Sequence, residues 1–193
     1  YQLIVHHRRA PAMVNALYQY ALTSPVETLR ALGLNANLRD ANEMTVNAKR
    51  IAGIGAGRIG EASVVVGNFL FDFDYAAMAR AWRVPSETYR RLARDGLEKY
   101  VTTLTHEMAS VPRMENVKAL LVEKYRAGLQ RSLETGTLTE EEEQRAREYE
   151  QKLGAEEWLF ELENPRRGGL KIAGGVYMFA ETVYLLLGGA DGK

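Results

Sequence analysis

Cysteine is absent from this chain of 193 residues. Its absence excludes disulfide bonds, thiolate metal ligands and a cysteine nucleophile within these residues. An excess of one charge is also lacking, because 25 Lys and Arg residues balance 25 Asp and Glu residues. A balanced chain has no electrostatic footprint for nucleic acid or for an anionic membrane, so we expect neither partner. With no cysteine, a reducing cytoplasm is the compartment that we expect.

Long hydrophobic runs are missing as well. The most apolar stretch, 176–187, is far too short to span a bilayer, and the apolar run 1–5 is too short for a signal-peptide core. Hydrophobic residues still make up 46% of the chain, which is enough for a core, and 26% charged residues argue against disorder. Because both ends resemble interrupted strands or turns, we expect the chain to be part of a longer protein.

The hydrophobic patterns predict a mixture of strands and helices without internal repeats. We expect a restart near Thr23 in the first helix, because Ser24 and Pro25 are a good N-cap and first-turn pair. Thr139 and Glu142 predict a capping box at the start of the last helix. The predicted strands are 1–7, 35–40, 43–53 (with a hairpin turn at 46–49) and 61–74, followed by two more within 170–187; the predicted helices are 11–34, 75–84, 114–129 and 138–154.

A G-x-G-x-x-G pattern occurs at Gly55, Gly57 and Gly60. A dinucleotide-binding turn requires a helix after the glycines, so that the helix N-terminus faces the pyrophosphate. The residues that follow Gly60 are β-branched and aromatic and predict a strand, so we exclude a Rossmann site. Glycines between two strands can instead expose backbone N–H groups to a phosphate or a carbonyl. A β-bulge with a mobile loop is the alternative, and the sequence leaves both open.

Several polar side chains are candidates for chemistry. Lys49 and Arg50 are neighbours on a predicted strand and therefore point to opposite faces, so that one can face a ligand pocket. Two surface cations are the alternative. The pair His6–His7 can bind an anion or a metal, although an exposed loop is the interpretation that we favour. Asp72 and Asp74 share one side of a predicted strand, and we favour a solvated face or a helix cap over acid–base catalysis.

The stretch 39–85 resembles the catalytic domain of lipoate–protein ligase A-type enzymes. That family has Arg-x-x-Asn-Asp, then Val-Asn-Gly-Lys-Lys-Ile-Ser/Ala-Gly, a glycine-bearing loop, an Asp-Phe-Asp strand and a short helix ending in Val-Pro. Similar order and spacing continue through 100–104, 114–129 and 138–158. The resemblance implies an α/β (α+β) catalytic domain with a mixed sheet and flanking helices, shared with biotin ligases. It also implies a catalytic domain at 1–162 and the beginning of a small C-terminal domain at 170–193, and a shift in composition at 163–169 predicts a linker between them.

The same resemblance implies a two-step reaction. ATP and lipoate (or octanoate) form an acyl-adenylate, and the acyl group then passes to a lysine of an acceptor lipoyl domain. Such acceptors occur in 2-oxoacid dehydrogenase E2 and in the glycine cleavage H protein. Related octanoyltransferases use a cysteine thioester, which this chain lacks, so ligation is the reading that we favour. Octanoyl transfer and a catalytically altered paralogue that binds an acyl-adenylate or a lipoyl domain remain alternatives.

The resemblance also assigns residues. The catalytic lysine of the family falls on Arg50, with Lys49 as the alternative if the alignment slips by one residue. Asn42 and Glu43 fall on the family's Asn-Asp pair, which implies a Mg²⁺ role for Glu43. Val66 replaces a histidine that many ligases carry, and the Gly-Gly-Gly segment expected upstream is not in the chain. The remaining positions implied for substrate or adenylate binding are Asn47, Ala52, Gly53, Gly55, Gly57 and Gly67.

Overall fold

The computed structural model describes residues 1–84 and 86–159, together with the backbone of 171–179 and 182–190. Contacts between residues divide the chain into two units, 1–133 and 134–193. The predicted linker at 163–169 lies outside the described residues, and the predicted domain boundaries stay predictions. Among the described helices, none is long and apolar enough to cross a membrane.

The first unit mixes antiparallel strands with helices, which confirms the predicted fold class. In chain order its elements are β1 (Gln2–His6), a 3-10 turn (His7–Arg9), α1 (Val14–Ala31), β2 (Ala36–Arg39), β3 (Glu43–Val46), β4 (Lys49–Arg50), β5 (Ile54–Ile59), β6 (Ala62–Gly67), α2 (Tyr75–Ala81), α3 (Glu87–Tyr100), α4 (Leu104–Glu107) and α5 (Met114–Leu129). The strands form two three-stranded sheets with the orders β1-β6-β5 and β2-β3-β4.

The described residues of the second unit form two helices and a hairpin. The capping box predicted at Thr139 is present, since its side chain accepts from Glu142 N–H while the Glu142 carboxylate accepts from Thr139 N–H. The two strands predicted within 170–187 are present as a pair, although the second extends to Ala190. The elements are α6 (Glu140–Gly154), α7 (Glu156–Leu159), β7 (Lys171–Phe179) and β8 (Thr182–Ala190).

Helix α1 continues through Pro25, so the predicted restart near Thr23 is wrong. A proline inside a helix cannot donate to the carbonyl four residues earlier, which here belongs to Ala21. The buried Tyr125 hydroxyl donates to that carbonyl at 3.0 Å and replaces the missing bond. Ser24 donates to the Lys124 carbonyl at 3.1 Å instead of capping a new helix. Contacts with α5, distant in sequence, thus keep α1 continuous.

Two apolar clusters fix the strands against α1. Met44, Ile51 and Leu104 are fully buried in the first cluster, next to Leu29 of α1. The second cluster joins the other half of α1 to Val65 of β6. Because α1 contributes to both clusters, it holds the two sheets in a common core. Burying a side chain of this size contributes about 1.5–3 kcal/mol relative to exposure.

The hairpin predicted at 46–49 is confirmed. Asn47 and Ala48 have φ angles of 49° and 64°, the left-handed values that a two-residue type I′ turn requires. The turn pairs Val46 with Lys49 and Thr45 with Arg50. It therefore places both candidate cations on β4, next to β3.

The glycine stretch is a strand and not a loop. Residues 54–59 form β5, which pairs with β6 through a two-residue turn at Gly60 and Glu61. Gly60 has a φ of 56°, which a first turn position in such a hairpin requires. The G-x-G-x-x-G pattern is thus followed by a strand, as expected, and the exclusion of a Rossmann turn is confirmed.

The strand predicted over 61–74 is too long, because β6 ends at Gly67. Beyond it, Asn68 and Leu70 donate their backbone N–H groups to the carbonyls of Gly53 and Ile51. Asp74 does not share a strand face with Asp72; it accepts from Ala77 N–H at 2.8 Å and caps α2. The helix-cap interpretation of Asp74 is therefore confirmed.

The α1–α5 contact generates a stability prediction. A Cβ added at Gly128 would lie 2.6 Å from Ser24 Oγ but 3.9 Å from Ser24 Cβ. We expect Gly128→Ala to lower the free energy of unfolding by about 1–3 kcal/mol through overpacking. In a Ser24→Ala background the same change should be neutral, or stabilising by up to about 1 kcal/mol through helix propensity. Urea denaturation of the four proteins measures this coupling, and equal costs in both backgrounds would contradict it.

Candidate functional site

The backbone of Arg50–Gly53 is hydrogen-bonded to neighbours on both sides. Ile51 N–H donates to Met44 of β3 at 3.1 Å, and the Ile51 carbonyl accepts from Leu70 at 3.0 Å. The Arg50 carbonyl accepts from Thr102 N–H at 2.8 Å, in a parallel bridge that joins Arg50 to Val101. This irregular segment therefore links the hairpin sheet to the chain that follows β6 and to the end of α3.

Glu43 lies between two arginines. Its Oε2 accepts from Arg39 Nε and its Oε1 accepts from Arg50 Nε, each at 2.7 Å. Antiparallel pairing makes this arrangement possible, since β3 runs between β2 and β4 and sets Arg39 opposite Glu43. The Glu43 side chain is 15% exposed, whereas those of Arg39 and Arg50 are 48% and 56% exposed. One nearly covered carboxylate thus positions two accessible cations.

These contacts lower the pKa of the Glu43 carboxyl group. The hydrogen bond from Arg39 is the main cause that holds the pKa of the Glu43 carboxyl below its ordinary value. Partial burial opposes this shift, and the hydrogen bond from Arg50 supports it. Glu43 is therefore a carboxylate at neutral pH.

A second polar network holds the hairpin turn. Asn47 Nδ2 donates to Glu107 Oε2 at 2.7 Å, and Thr102 Oγ1 donates to Glu107 Oε1 at 2.6 Å. The N–H of the same Thr102 bonds to the Arg50 carbonyl, so both networks meet at one threonine. Sequence reasoning missed Glu107 and Thr102, although the resemblance at 100–104 covers Thr102.

The predicted catalytic and polar positions lie together around this hairpin. Lys49 and Arg50 are both exposed, so exposure does not decide which of them faces a ligand. Ala52 is buried beside Ile51, and Asn42 is exposed in the turn before β3. The role of each position stays a prediction.

The predicted glycine positions divide into two groups. The Gly53 N–H is already used, because it donates to Asn68 Oδ1 at 2.7 Å. Gly67 exchanges both backbone hydrogen bonds with Tyr1, and a Cβ there would clash with the Tyr1 hydroxyl group. The N–H groups of both glycines are therefore bonded within the protein, and Gly67 also packs closely against Tyr1.

Gly55 and Gly57 direct their backbone groups into the sheet. Because Gly67 bonds to Tyr1, the alternation of an antiparallel ladder turns the groups of Val66 towards Gly55. By the same alternation Gly57 faces β6. By this alternation the groups of Ala56 and Arg58 face away from β6. A role of Gly55 and Gly57 in substrate or adenylate binding stays a prediction.

A magnesium site at Glu43 does not fit these contacts. Mg²⁺ takes oxygen ligands in near-octahedral geometry, and carboxylates are its usual protein ligands. Both Glu43 oxygens already accept hydrogen bonds from guanidinium groups, and the Asn47 amide is bonded to Glu107. Two positive charges stand where the ion would bind. The Mg²⁺ role remains a prediction without support from the geometry.

Comparison with solved structures identifies the fold. A bipartite lipoate protein ligase of Thermoplasma acidophilum, described with its E2 lipoyl domain, is similar with a TM-score of 0.74 and 21% identity over 86% of this chain and 65% of its own. Lipoate-protein ligase A bound with ATP is similar with a TM-score of 0.64 and 21% identity over 81% of this chain and 62% of its own. The chain thus has a catalytic-domain fold of the lipoate ligase type.

Residues 1–126 match the lipoyl protein ligase A/B catalytic domain, and the chain belongs to this family. Octanoyltransferase LipM of Kyrpidia tusciae is 31% identical over 119 residues, which are 61% of this chain and 43% of the octanoyltransferase. The chain spans less than two thirds of each of these three relatives. The sequence-based resemblance to the family is confirmed.

The Glu43 contacts predict a pH-dependent contribution to stability. The folded pKa lies below the unfolded value of about 4.3, so the contribution is complete above that value and is lost as the pH falls through the folded pKa. We expect Glu43→Gln to lower the free energy of unfolding at pH 7 by about 1–3 kcal/mol. The difference from the parent should shrink as the pH falls below about 4.3, which denaturation at several pH values measures.

Glu98→Gln is the matched control. Glu98 accepts from Arg94 Nε at the same 2.7 Å, but its side chain is 43% exposed on a helix. Because solvent screens an exposed pair of this type, we expect its loss to change the free energy of unfolding far less than Glu43→Gln does. A pH-independent loss at Glu43, or equal losses at both positions, would contradict the account of the Glu43 site.

Proposed function

We propose that this chain is the catalytic part of an ATP-dependent ligase that attaches lipoate or octanoate to a lysine of an acceptor lipoyl domain. Membership of the lipoyl protein ligase A/B catalytic domain family is the observation that carries the proposal. ATP and a lipoyl domain appear in the names of two structural relatives, which supports both as ligands here. A cytoplasmic location, with E2 or glycine cleavage H protein as acceptor, stays a prediction.

Arg50 is the cation that we assign to the activated acyl group. Its Nε–H is used by Glu43, which leaves the two Nη groups as donors for carbonyl or phosphate oxygens. In acyl-adenylate formation a carboxylate oxygen of the acid attacks the α-phosphorus of ATP and the bond to pyrophosphate breaks, so negative charge develops on the phosphate oxygens and on the leaving pyrophosphate. A positioned cation stabilises that charge most when it is already oriented before the reaction. The Glu43 hydrogen bond supplies this orientation.

In the second step the acceptor lysine amine attacks the acyl carbonyl, and adenylate leaves. A guanidinium beside the carbonyl oxygen stabilises the charge that appears there. An arginine stays charged at any relevant pH, whereas a lysine is a compact cation that loses charge more readily when it is buried. Arg50 therefore keeps the electrostatic part of the role that the family's lysine has.

Octanoyl transfer is the second candidate function. The identity of 31% to an octanoyltransferase over 119 residues favours it. The chain contains no cysteine, so an acyl-thioester route has no nucleophile within these residues. For this reason we place ligation first.

The full-length protein that contains this chain tests the proposal. We expect lipoate- or octanoate-dependent exchange of pyrophosphate into ATP, and transfer of the acyl group to a purified lipoyl domain. Arg50→Ala should lower the exchange rate by about 100-fold or more, the usual effect of losing one charge-stabilising donor. Arg50→Lys should retain part of the rate.

Arg94→Ala is the matched control for this experiment. Arg94 is also bonded through Nε to a carboxylate at 2.7 Å and is 53% exposed, compared with 56% for Arg50. Its loss should leave the exchange rate unchanged. Loss of exchange in Lys49→Ala but not in Arg50→Ala would move the role to Lys49. Octanoyl transfer from acyl carrier protein without ATP would replace ligation by the second candidate.

A further inference from the structure

We propose that His6, His7 and Glu61 form a binding site for a divalent transition metal, separate from the candidate acyl-transfer site. Each residue offers one ligand atom, and these three atoms lie within 4.8 Å of one another. Two imidazoles and a carboxylate are a donor set that suits Zn²⁺, Co²⁺ or Ni²⁺. Nothing in the proposed ligase function requires this site, so the two proposals stand independently.

The topology of the first sheet brings these side chains together. β1 ends at His6, and His7 begins the 3-10 turn that follows. Glu61 lies in the turn that precedes β6, and the β1–β6 register sets His6 opposite Ala62. His7 N–H donates to the Glu61 carbonyl at 2.7 Å, which ties the backbones at this corner. The ligands therefore sit on a fixed part of the sheet.

A hydrogen bond to the Glu61 carbonyl orients the His7 imidazole for a metal. Its Nδ1 lies 2.9 Å from the Glu61 carbonyl oxygen, so Nδ1 carries the proton and donates to it. The proton position leaves Nε2 as an unprotonated ligand. A backbone carbonyl that orients a metal-binding imidazole in this way is a regular feature of protein metal sites.

His6 and Glu61 are already at a suitable spacing. His6 Nε2 lies 3.5 Å from Glu61 Oε2, and ligands of a tetrahedral ion with bonds of about 2.0–2.2 Å are about 3.3–3.6 Å apart. The two imidazoles stack with ring centroids 4.7 Å apart, so the His7 ring lies beside that of His6. A metal at His6 Nε2 moves the imidazole proton to Nδ1. The exposed Arg8 N–H, which donates to His6 Nδ1 in this structure, then donates to water instead.

The charged residues around the site affect its affinity for a divalent ion. Glu61 supplies one negative charge, whereas Arg8 and Arg9 follow the histidines in the chain and are exposed. Their repulsion of a divalent ion is screened by solvent and salt. Three protein ligands leave at least one coordination position open to water or to an anion. An open site with cationic neighbours therefore accepts an anionic fourth ligand.

Metal titration of the untagged chain tests the proposal. We expect one Zn²⁺ per chain by calorimetry, and visible absorption of Co²⁺ that Zn²⁺ displaces. His6→Ala and His7→Ala should each lower the Zn²⁺ affinity roughly tenfold or more, and Glu61→Gln should lower it as well. Zn²⁺ should raise the melting temperature of the parent but not of the His6→Ala/His7→Ala double variant, because it binds the folded state.

His106→Ala is the matched control. The chain has three histidines, and the third is exposed and stacks on Tyr75 with ring centroids 6.1 Å apart. Its removal should leave stoichiometry and affinity unchanged. Far-UV circular dichroism shows that each variant is folded. Zn²⁺ binding that survives the double variant, that disappears in His106→Ala, or that is absent from the parent would overturn the proposal.

Discussion

The hydrogen bonds around Arg50–Gly53 are the constraint on which the candidate site depends. This segment has a regular β3 neighbour on one side and irregular neighbours after β6 and α3 on the other. Each backbone hydrogen bond contributes only about 0.5–1.5 kcal/mol, but together these bonds constrain the backbone conformation of the segment. The path buries Ile51 and Ala52 and leaves Arg50 on the surface. A cation next to a rigid, buried segment keeps its position without a deep pocket of its own.

Glu43 gives the Arg50 guanidinium group a defined orientation. A surface ion pair usually contributes little to stability, because solvent screens it and long side chains lose freedom. Glu43 differs because it is nearly covered and accepts from two guanidinium groups on the adjacent strands. The same two hydrogen bonds explain why Glu43, which the sequence suggests as a Mg²⁺ ligand, does not fit a Mg²⁺ site in this structure. In this structure its two oxygens are bonded to Arg39 and Arg50, and the proposed chemistry uses the orientation that Arg50 gains from this bond.

Local patterns predicted much of the fold, and contacts between distant residues explain the errors. The type I′ turn at Asn47–Ala48, helix α5 and the capping box follow from residues a few positions apart, and all three are confirmed. Pro25 misled the prediction because Tyr125, 100 positions away, satisfies the carbonyl that proline leaves free. The glycines of β5 suggested a loop because glycine weakens strands, yet pairing with β6 overrides that preference. The candidate cations were found from the sequence, whereas the Glu107–Asn47–Thr102 network was visible only in three dimensions.

The central claim is that the Arg50 guanidinium contacts the activated acyl group. The most direct measurement is a crystal structure of the full-length protein with a lipoyl-adenylate analogue in which a sulfamate replaces the phosphate. The account predicts a hydrogen bond from an Arg50 Nη group to the sulfamate or the acyl oxygen, with Arg50 Nε still bonded to Glu43. An analogue bound elsewhere, with the Arg50 guanidinium facing only water, would contradict it.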